Sequence, residues 1–203
     1  MEYTGQRIIW DTKSFLATSG MRDPAGSFSY QSSDFQCLKP TERDEDKAGP
    51  IPEGTYRFSL VIDTRMARDY GKASCTLKRD KYNRIQEIPL KRYSGYCEDY
   101  WLNWGWNRVP LIPDDQVTRK ICGGKRGSFY LHDSGKGYTH GCIEVENRFF
   151  KELYSYILKH PKTKMLKLRV KYSDPRKTST YGFSDTEDHS KKFVIRQGRY
   201  IKP

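Results

Sequence analysis

Apolar positions along this chain recur mostly at short range. Met165-Leu166-Lys167-Leu168-Arg169-Val170-Lys171-Tyr172 alternates with a period of two, which predicts a strand burying one face. Ser128-Phe129-Tyr130-Leu131-His132 is apolar enough for an interior strand that delivers His132 at its end. Two prolines and two glycines in Gly49-Pro50-Ile51-Pro52-Glu53-Gly54 force a turn, after which Tyr56 to Ile62 begins as a strand. Residues 7–18 and 27–37 hold short apolar runs (Ile8, Ile9, Trp10; Phe15, Leu16; Phe28, Tyr30) broken by Gly20, Pro24 and Gly26, a meander of short strands. Thr41 to Lys47 is a charged loop, and Asp63 to Pro89 reads as loops and edge strands. The period changes after residue 146: Phe149, Leu153 and Ile157, with Phe150, Tyr154 and Leu158, recur at i+4 and predict an amphipathic helix stopped by Pro161. The chain is therefore mainly β with one helix. It reads as one domain over residues 1–172 and a basic, polar extension over 173–203, in which Phe193-Val194-Ile195 is the sole apolar cluster.

Composition narrows the class. With 203 residues the chain is long enough for a full core. Its 37 Lys and Arg against 25 Asp and Glu leave a net charge of +12, which suits an anionic partner such as bacterial cell wall or nucleic acid, or simply a solvated surface. No RNP, zinc-finger or helix-turn-helix signature accompanies the charge, which argues against nucleic acid. The opening residues lack a basic segment followed by an apolar one, and no window has membrane-spanning length, so neither Sec export nor a membrane anchor is expected. Setting aside Cys142 leaves Cys37, Cys75, Cys97 and Cys122, which allow three disulfide pairings or none.

Chemistry concentrates between Leu131 and Ile143, in Leu131-His132-Asp133-Ser134-Gly135-Lys136-Gly137-Tyr138-Thr139-His140-Gly141-Cys142-Ile143. A cysteine nucleophile acts as its thiolate and needs a base or positive charge beside it, which His132 and His140 supply. The glycines permit close backbone approach, and the polar run reads as a reversal that brings His132 opposite Cys142. Two other readings compete: a structural loop with inert His and Cys, or a metal site built from His132, His140 and Cys142 with Asp133 or Glu144. Metal is not expected, because no C-x2-C pair occurs. No cofactor is expected either. Upstream, Trp101, Trp104 and Trp106 cluster with Tyr100 ahead of Arg108, to pack the core or to wall a groove beside a fixed cation.

His132, a loop, and then Thr139-His140-Gly141-Cys142-Ile143 resembles the signature of the L,D-transpeptidase catalytic domain family. The Gly49 to Tyr56 turn and the Trp104-Gly105-x-x-Arg108 stretch resemble further parts of it. The resemblance implies a β-sandwich with one helix after the cysteine, and peptidoglycan peptide stems as substrate. Glu144 departs from the pattern, standing where an Arg is common. The short His132-to-Cys142 interval, the missing export signal and the Gly-Pro-Ile-Pro turn look more like the branch delivered into rival bacteria by type VI secretion. That branch implies action in the target periplasm, a secretion apparatus and a cognate immunity protein.

The chemistry so implied is acyl transfer through a thioester, with Cys142 as nucleophile and His132 as general base and then acid. The Asp133 backbone carbonyl or the Ser134 side chain orients His132, and His140 stabilises the thiolate or shapes the loop. The amides of Gly141 and Cys142 are the candidate oxyanion donors. Arg108, Trp104, Tyr138, Thr139 and Ser134 are the candidates for substrate contact. Water as acceptor gives carboxypeptidase action and an amine gives exchange. The alternative is a basic, non-catalytic module that binds cell wall or nucleic acid.

Overall fold

The computed structural model describes residues 1–23, 27–41, 43–44, 47–63, 81–88 and 104–174. Its strands are β1 (Glu2–Tyr3), β2 (Arg7–Trp10), β3 (Lys13–Thr18), β4 (Gly54–Ser59), β5 (Ile62–Asp63), β6 (Ile85–Glu87), β7 (Asn107–Pro110), β8 (Ile112–Pro113), β9 (Tyr130–His132), β10 (Ile143–Val145) and β11 (Met165–Val170). Two short α-helices accompany them among the described residues, α1 (Gln116–Lys120) and α2 (Arg148–Lys159).

The strands form one curled sheet in the order β5-β6-β7-β9-β10-β3-β2-β1-β11-β4-β8. β3 is the joint. Its residues Lys13 to Leu16 pair with β2, while Ala17 and Thr18 pair with Val145 and Glu144 of β10. The expected sandwich is thus realised as a single sheet folded about the middle of one strand. On β11 the alternation is obeyed, with Leu168 and Val170 buried and Lys167 and Arg169 exposed. β4 lies antiparallel to it over the whole strand, Met165 facing Ser59 and Val170 facing Gly54.

Helix α2 packs its apolar stripe on this sheet. Phe149 meets Phe15 edge-on, with ring centroids 5.3 Å apart, and also contacts Trp10 at 5.9 Å. Phe149, Phe150 and Leu153 are at most 1% exposed and join Ile8, Leu131, Ile143 and Val145 in one continuous core. Burying such side chains stabilises the fold by roughly 1.5–3 kcal/mol each.

Some elements differ from expectation. Residues 27–37 are not a strand meander: a single bridge joins Arg22 to Ser29, and Ser33–Phe35 is a 3-10 turn capped by Ser32. β6 is flanked by β5 and β7, so it is interior and not an edge. Helix α1 escapes the apolar pattern because a capping bond starts it, Thr118 N–H donating to Asp115 Oδ1 at 2.6 Å. The Thr118 hydroxyl then accepts the Thr55 N–H at 2.9 Å and ties α1 to β4. A disulfide joins Cys37 to Cys122, with Cα atoms 5.0 Å apart. Cys75, Cys97, Tyr100, Trp101 and the extension from Pro175 onward lie outside the described residues.

Candidate active site

β9 and β10 run parallel, Leu131 beside Ile143 and His132 beside Glu144. The segment between them is therefore not the reversal that its glycines suggested. It is a crossover that carries the chain back to the end of the sheet where β9 began, and the residue opposite His132 is Glu144, not Cys142. Successive side chains alternate between faces, so Leu131, Ile143 and Val109 of β7 point into the core. His132, Glu144 and Arg108 point the other way. The row continues through Gln86 on β6 and Thr18 on β3, and all five side chains are at most 2% exposed. Cys142 precedes β10 by one residue, and Lys136 and Arg108, the two cations that act on His132, act on its sulfur as well.

The His132 ring is held on several sides. Ser134 Oγ lies 3.1 Å from Nδ1, and the same hydroxyl donates to Glu144 Oε2. Glu144 further accepts the Lys136 N–H at 3.1 Å and the Gly137 N–H at 2.6 Å. The Trp104 ring meets the imidazole edge-on, 5.3 Å between centroids. The Arg108 guanidinium lies 4.6 Å from the Trp104 ring and 4.9 Å from that of Tyr130, and its Nε donates to Gln86 Oε1 at 2.8 Å. Burial, helped by the charges of Lys136 and Arg108, holds His132 well below its ordinary pKa, so the imidazole is neutral near pH 7. Burial also raises Glu144, against the pull of its Ser134 and Gly137 bonds and the Lys136 charge.

Cys142 is the free cysteine among the described residues, and half-buried. Burial pushes its thiol up to about 11, opposed by the Tyr130 N–H and by the charges of Lys136, Arg108 and Arg126. The resting pair is therefore a neutral thiol and a neutral imidazole. Arg126 donates to the carbonyls of Leu38, of Gly49 at 3.0 Å and of Pro50 at 3.4 Å, which joins the Gly-Pro turn to the cysteine loop. Gly141 is required there. Its φ is +112°, and a Cβ would meet Arg126 Nη2 at 2.2 Å.

The remaining predicted residues separate into groups. The Asp133 carboxylate turns toward the α2 side: Oδ1 accepts the N–H groups of Trp106 at 2.7 Å and Asn107 at 2.8 Å, and Oδ2 accepts the Asn107 amide at 2.8 Å. Asn107 in turn accepts the Tyr154 hydroxyl of α2 at 2.7 Å. Of the two orienting groups expected for His132, the Ser134 side chain makes the contact. Gly105 serves the Asp133 arrangement, for a Cβ there would lie 2.3 Å from the Asp133 carbonyl carbon. Thr139 is buried and builds the loop, accepting from Gly20 and Gly141 N–H and donating to the Cys142 carbonyl. The Gly141 amide is thereby engaged at 3.1 Å, which leaves Cys142 as the other amide named for an oxyanion. Tyr138 lies under the Lys136 ammonium, 5.0 Å from ring centroid to Nζ. His140 is exposed, and the cations acting on the sulfur are Lys136, Arg108 and Arg126. Lys136 and Arg126 were not singled out from sequence, and Glu144 was noted only as a departure and a metal-ligand type. No local pattern marks Arg126; for Glu144 the signal was its offset of twelve from His132, legible once the strands are known to be parallel.

Among the described residues no three His, Cys, Asp or Glu side chains are grouped to hold a metal ion. No helix among them is long and apolar enough to cross a membrane. The sequence matches the YkuD family, the L,D-transpeptidase catalytic domain, over residues 2–179. No curated protein matches it.

Proposed function

The chain belongs to the L,D-transpeptidase catalytic domain family, cysteine-dependent enzymes that act on peptidoglycan peptide stems, and on that premise we propose that Cys142 and His132 carry an acyl transfer which removes or exchanges the terminal D-Ala of a tetrapeptide stem. The observation that carries this reading is the placement of Cys142 directly before β10, which runs parallel beside the strand of His132, with Ser134 Oγ at Nδ1 of the imidazole.

In this reading the thiol proton passes to His132 Nε2 as sulfur attacks the carbonyl preceding the terminal D-Ala. Because the resting thiol sits near 11, transfer accompanies attack and no thiolate is stored beforehand. The tetrahedral oxyanion takes the Cys142 N–H. The C–N bond breaks, His132 returns the proton to the departing amine, and D-Ala leaves a thioester on Cys142. Water, deprotonated by His132, then gives a shortened stem, or the amine of a free D-amino acid gives the exchanged one. Either attack restores the thiol. Arg108, Trp104 and Tyr138 line the substrate side.

The test is mass spectrometry of tetrapeptide muropeptides incubated with wild type or Cys142→Ala, with and without added D-amino acid. Loss or replacement of D-Ala by wild type alone is expected. Unchanged muropeptides over a range of stems would return the chain to the basic, non-catalytic binding reading.

The setting we propose is that of an antibacterial effector acting in a target periplasm after type VI delivery, neutralised in its producer by an immunity protein. Support comes from the short His132-to-Cys142 interval, the Gly-Pro-Ile-Pro turn, and the Cys37–Cys122 disulfide, a bond that persists in oxidising compartments. Expression in a bacterial host should arrest growth when the chain is exported to the periplasm and not when it stays inside. Harmlessness in the periplasm would sink this setting.

A further inference from the structure

Glu144 is wholly buried, in register with His132, and bonded to the hydroxyl that, among the described residues, touches the imidazole. A serine hydroxyl has a single proton, and an ionised carboxylate only accepts. Oε2 takes that proton from Ser134. What remains on Ser134 Oγ toward His132 is a lone pair, so Nδ1 must carry the hydrogen across the 3.1 Å contact. We infer that Glu144, acting through Ser134, is a positioning residue that fixes His132 in the Nδ1–H tautomer and leaves Nε2 as the base for Cys142. This rests on the proposed roles of His132 and Cys142. The groups that favour the ionised form of Glu144 against its burial are the Ser134 hydroxyl, the Lys136 and Gly137 N–H donors and the Lys136 charge. Those facing the ring are Arg108 from β7 and Lys136 from the crossover loop.

Glu144→Gln makes an unusual prediction, because the chain of bonds can run backwards. An amide –NH2 at the Oε1 place would face the Gly137 N–H at 2.6 Å, two donors with no remedy. At the Oε2 place it faces the Lys136 N–H at the longer 3.1 Å and meets Ser134, whose hydroxyl can turn round, accept from the amide and donate to Nδ1. His132 then becomes Nε2–H, with its proton on the nitrogen that should be empty.

Long-range 1H–15N spectra of imidazole-labelled protein at pH 8 read this directly, with His132 assigned by loss of its signals in His132→Gln. Wild type is expected as Nδ1–H and Glu144→Gln as Nε2–H. Iodoacetamide alkylation of Cys142 should slow at least about 100-fold in Glu144→Gln, within the 10²–10⁴ that a positioned base supplies. Ser134→Ala, which keeps both backbone bonds to Glu144, should slow it about tenfold in protein that circular dichroism shows to be folded at the assay temperature, and serves if Glu144→Gln does not fold. An Nε2–H ring in wild type, or an unmoved tautomer in Glu144→Gln, overturns the inference even if stem peptides are turned over. The converse, Nδ1–H in wild type with inert stem peptides, supports it while removing the proposed substrate.

Discussion

Two buried carboxylates stand at the same end of β9 and β10, one on each face of the sheet. Asp133 is 6% exposed and Glu144 0%, and burial raises the pKa of both, Asp133 to about 7. Their partners differ. Asp133 is saturated by two backbone N–H groups and an amide, and its reach ends at Tyr154 of α2. Glu144 also takes two backbone N–H groups, but its third donor is a hydroxyl that touches the His132 ring. A perturbed carboxylate beside a candidate base is therefore no mark of catalysis by itself. What separates them is whether the last atom in the chain of bonds can move a proton.

That contrast predicts separable failures. His132→Ala should cost the largest factor, about 10² to 10⁴ in kcat per folded molecule; a loss below tenfold would remove His132 from the base role. Asp133→Ala takes their acceptor from two buried Asn107 donors and the part-buried Trp106 N–H and should destabilise by about 3 kcal/mol, read in a urea titration. Its kcat per folded molecule should stay within a few-fold of wild type. A collapse of kcat at intact stability would mean that the core-face carboxylate reaches the chemistry after all.

The pH dependence of stability sharpens the comparison. Folded Asp133 keeps its proton up to about pH 7, whereas the unfolded side chain loses it near 3.8. The folded state binds more protons between those values, so the stabilisation from this group is present below 3.8 and is lost as pH rises through 7. His132 works oppositely, since its depressed pKa costs stability as pH falls below 6.5. Subtracting Asp133→Asn cancels the histidine. The difference in urea midpoint between wild type and Asp133→Asn should therefore grow in favour of wild type from pH 7.5 to pH 4, and a flat difference would contradict the raised pKa. His140→Ala, at an exposed position, should be the mildest change, within about 0.5 kcal/mol in stability. If it impairs turnover more than His132→Ala does, the two histidines have been assigned the wrong way round.

Much of the frame was readable from the chain. The alternation on β11 and the i+4 recurrence on α2 survive because one face of each is buried against the same core. The window holding His132 and Cys142 was legible from residue types alone. Strand direction was not: a glycine-rich run of this length suits a hairpin as well as a crossover, and hydrophobic pattern does not distinguish them. With direction hidden, the pairing of His132 with Glu144 was hidden too. Asp133 and Ser134 are adjacent in sequence and both polar, and only the exit of β9 sends one to the core face and the other to His132. Arg126 had no local signal, because the carbonyls that hold it come from Leu38, Gly49 and Pro50.

The pairing of β1 with β11 bears on how the molecule is made. Glu2 lies beside Arg169 and Tyr3 beside Val170, so the strand at residues 2–3 waits for a neighbour synthesised only at residues 169–170. Contacts of such sequence separation slow folding, because the closure entropy is lost before the pairing rewards it. Until β11 emerges from the ribosome, β1 keeps an open edge next to β2, and β4 lacks the neighbour it pairs with along its full length. All residues of the candidate site have been synthesised by then, yet the half of the sheet that braces them through β3 is unfinished. The nascent chain holds its chemistry before it holds its frame.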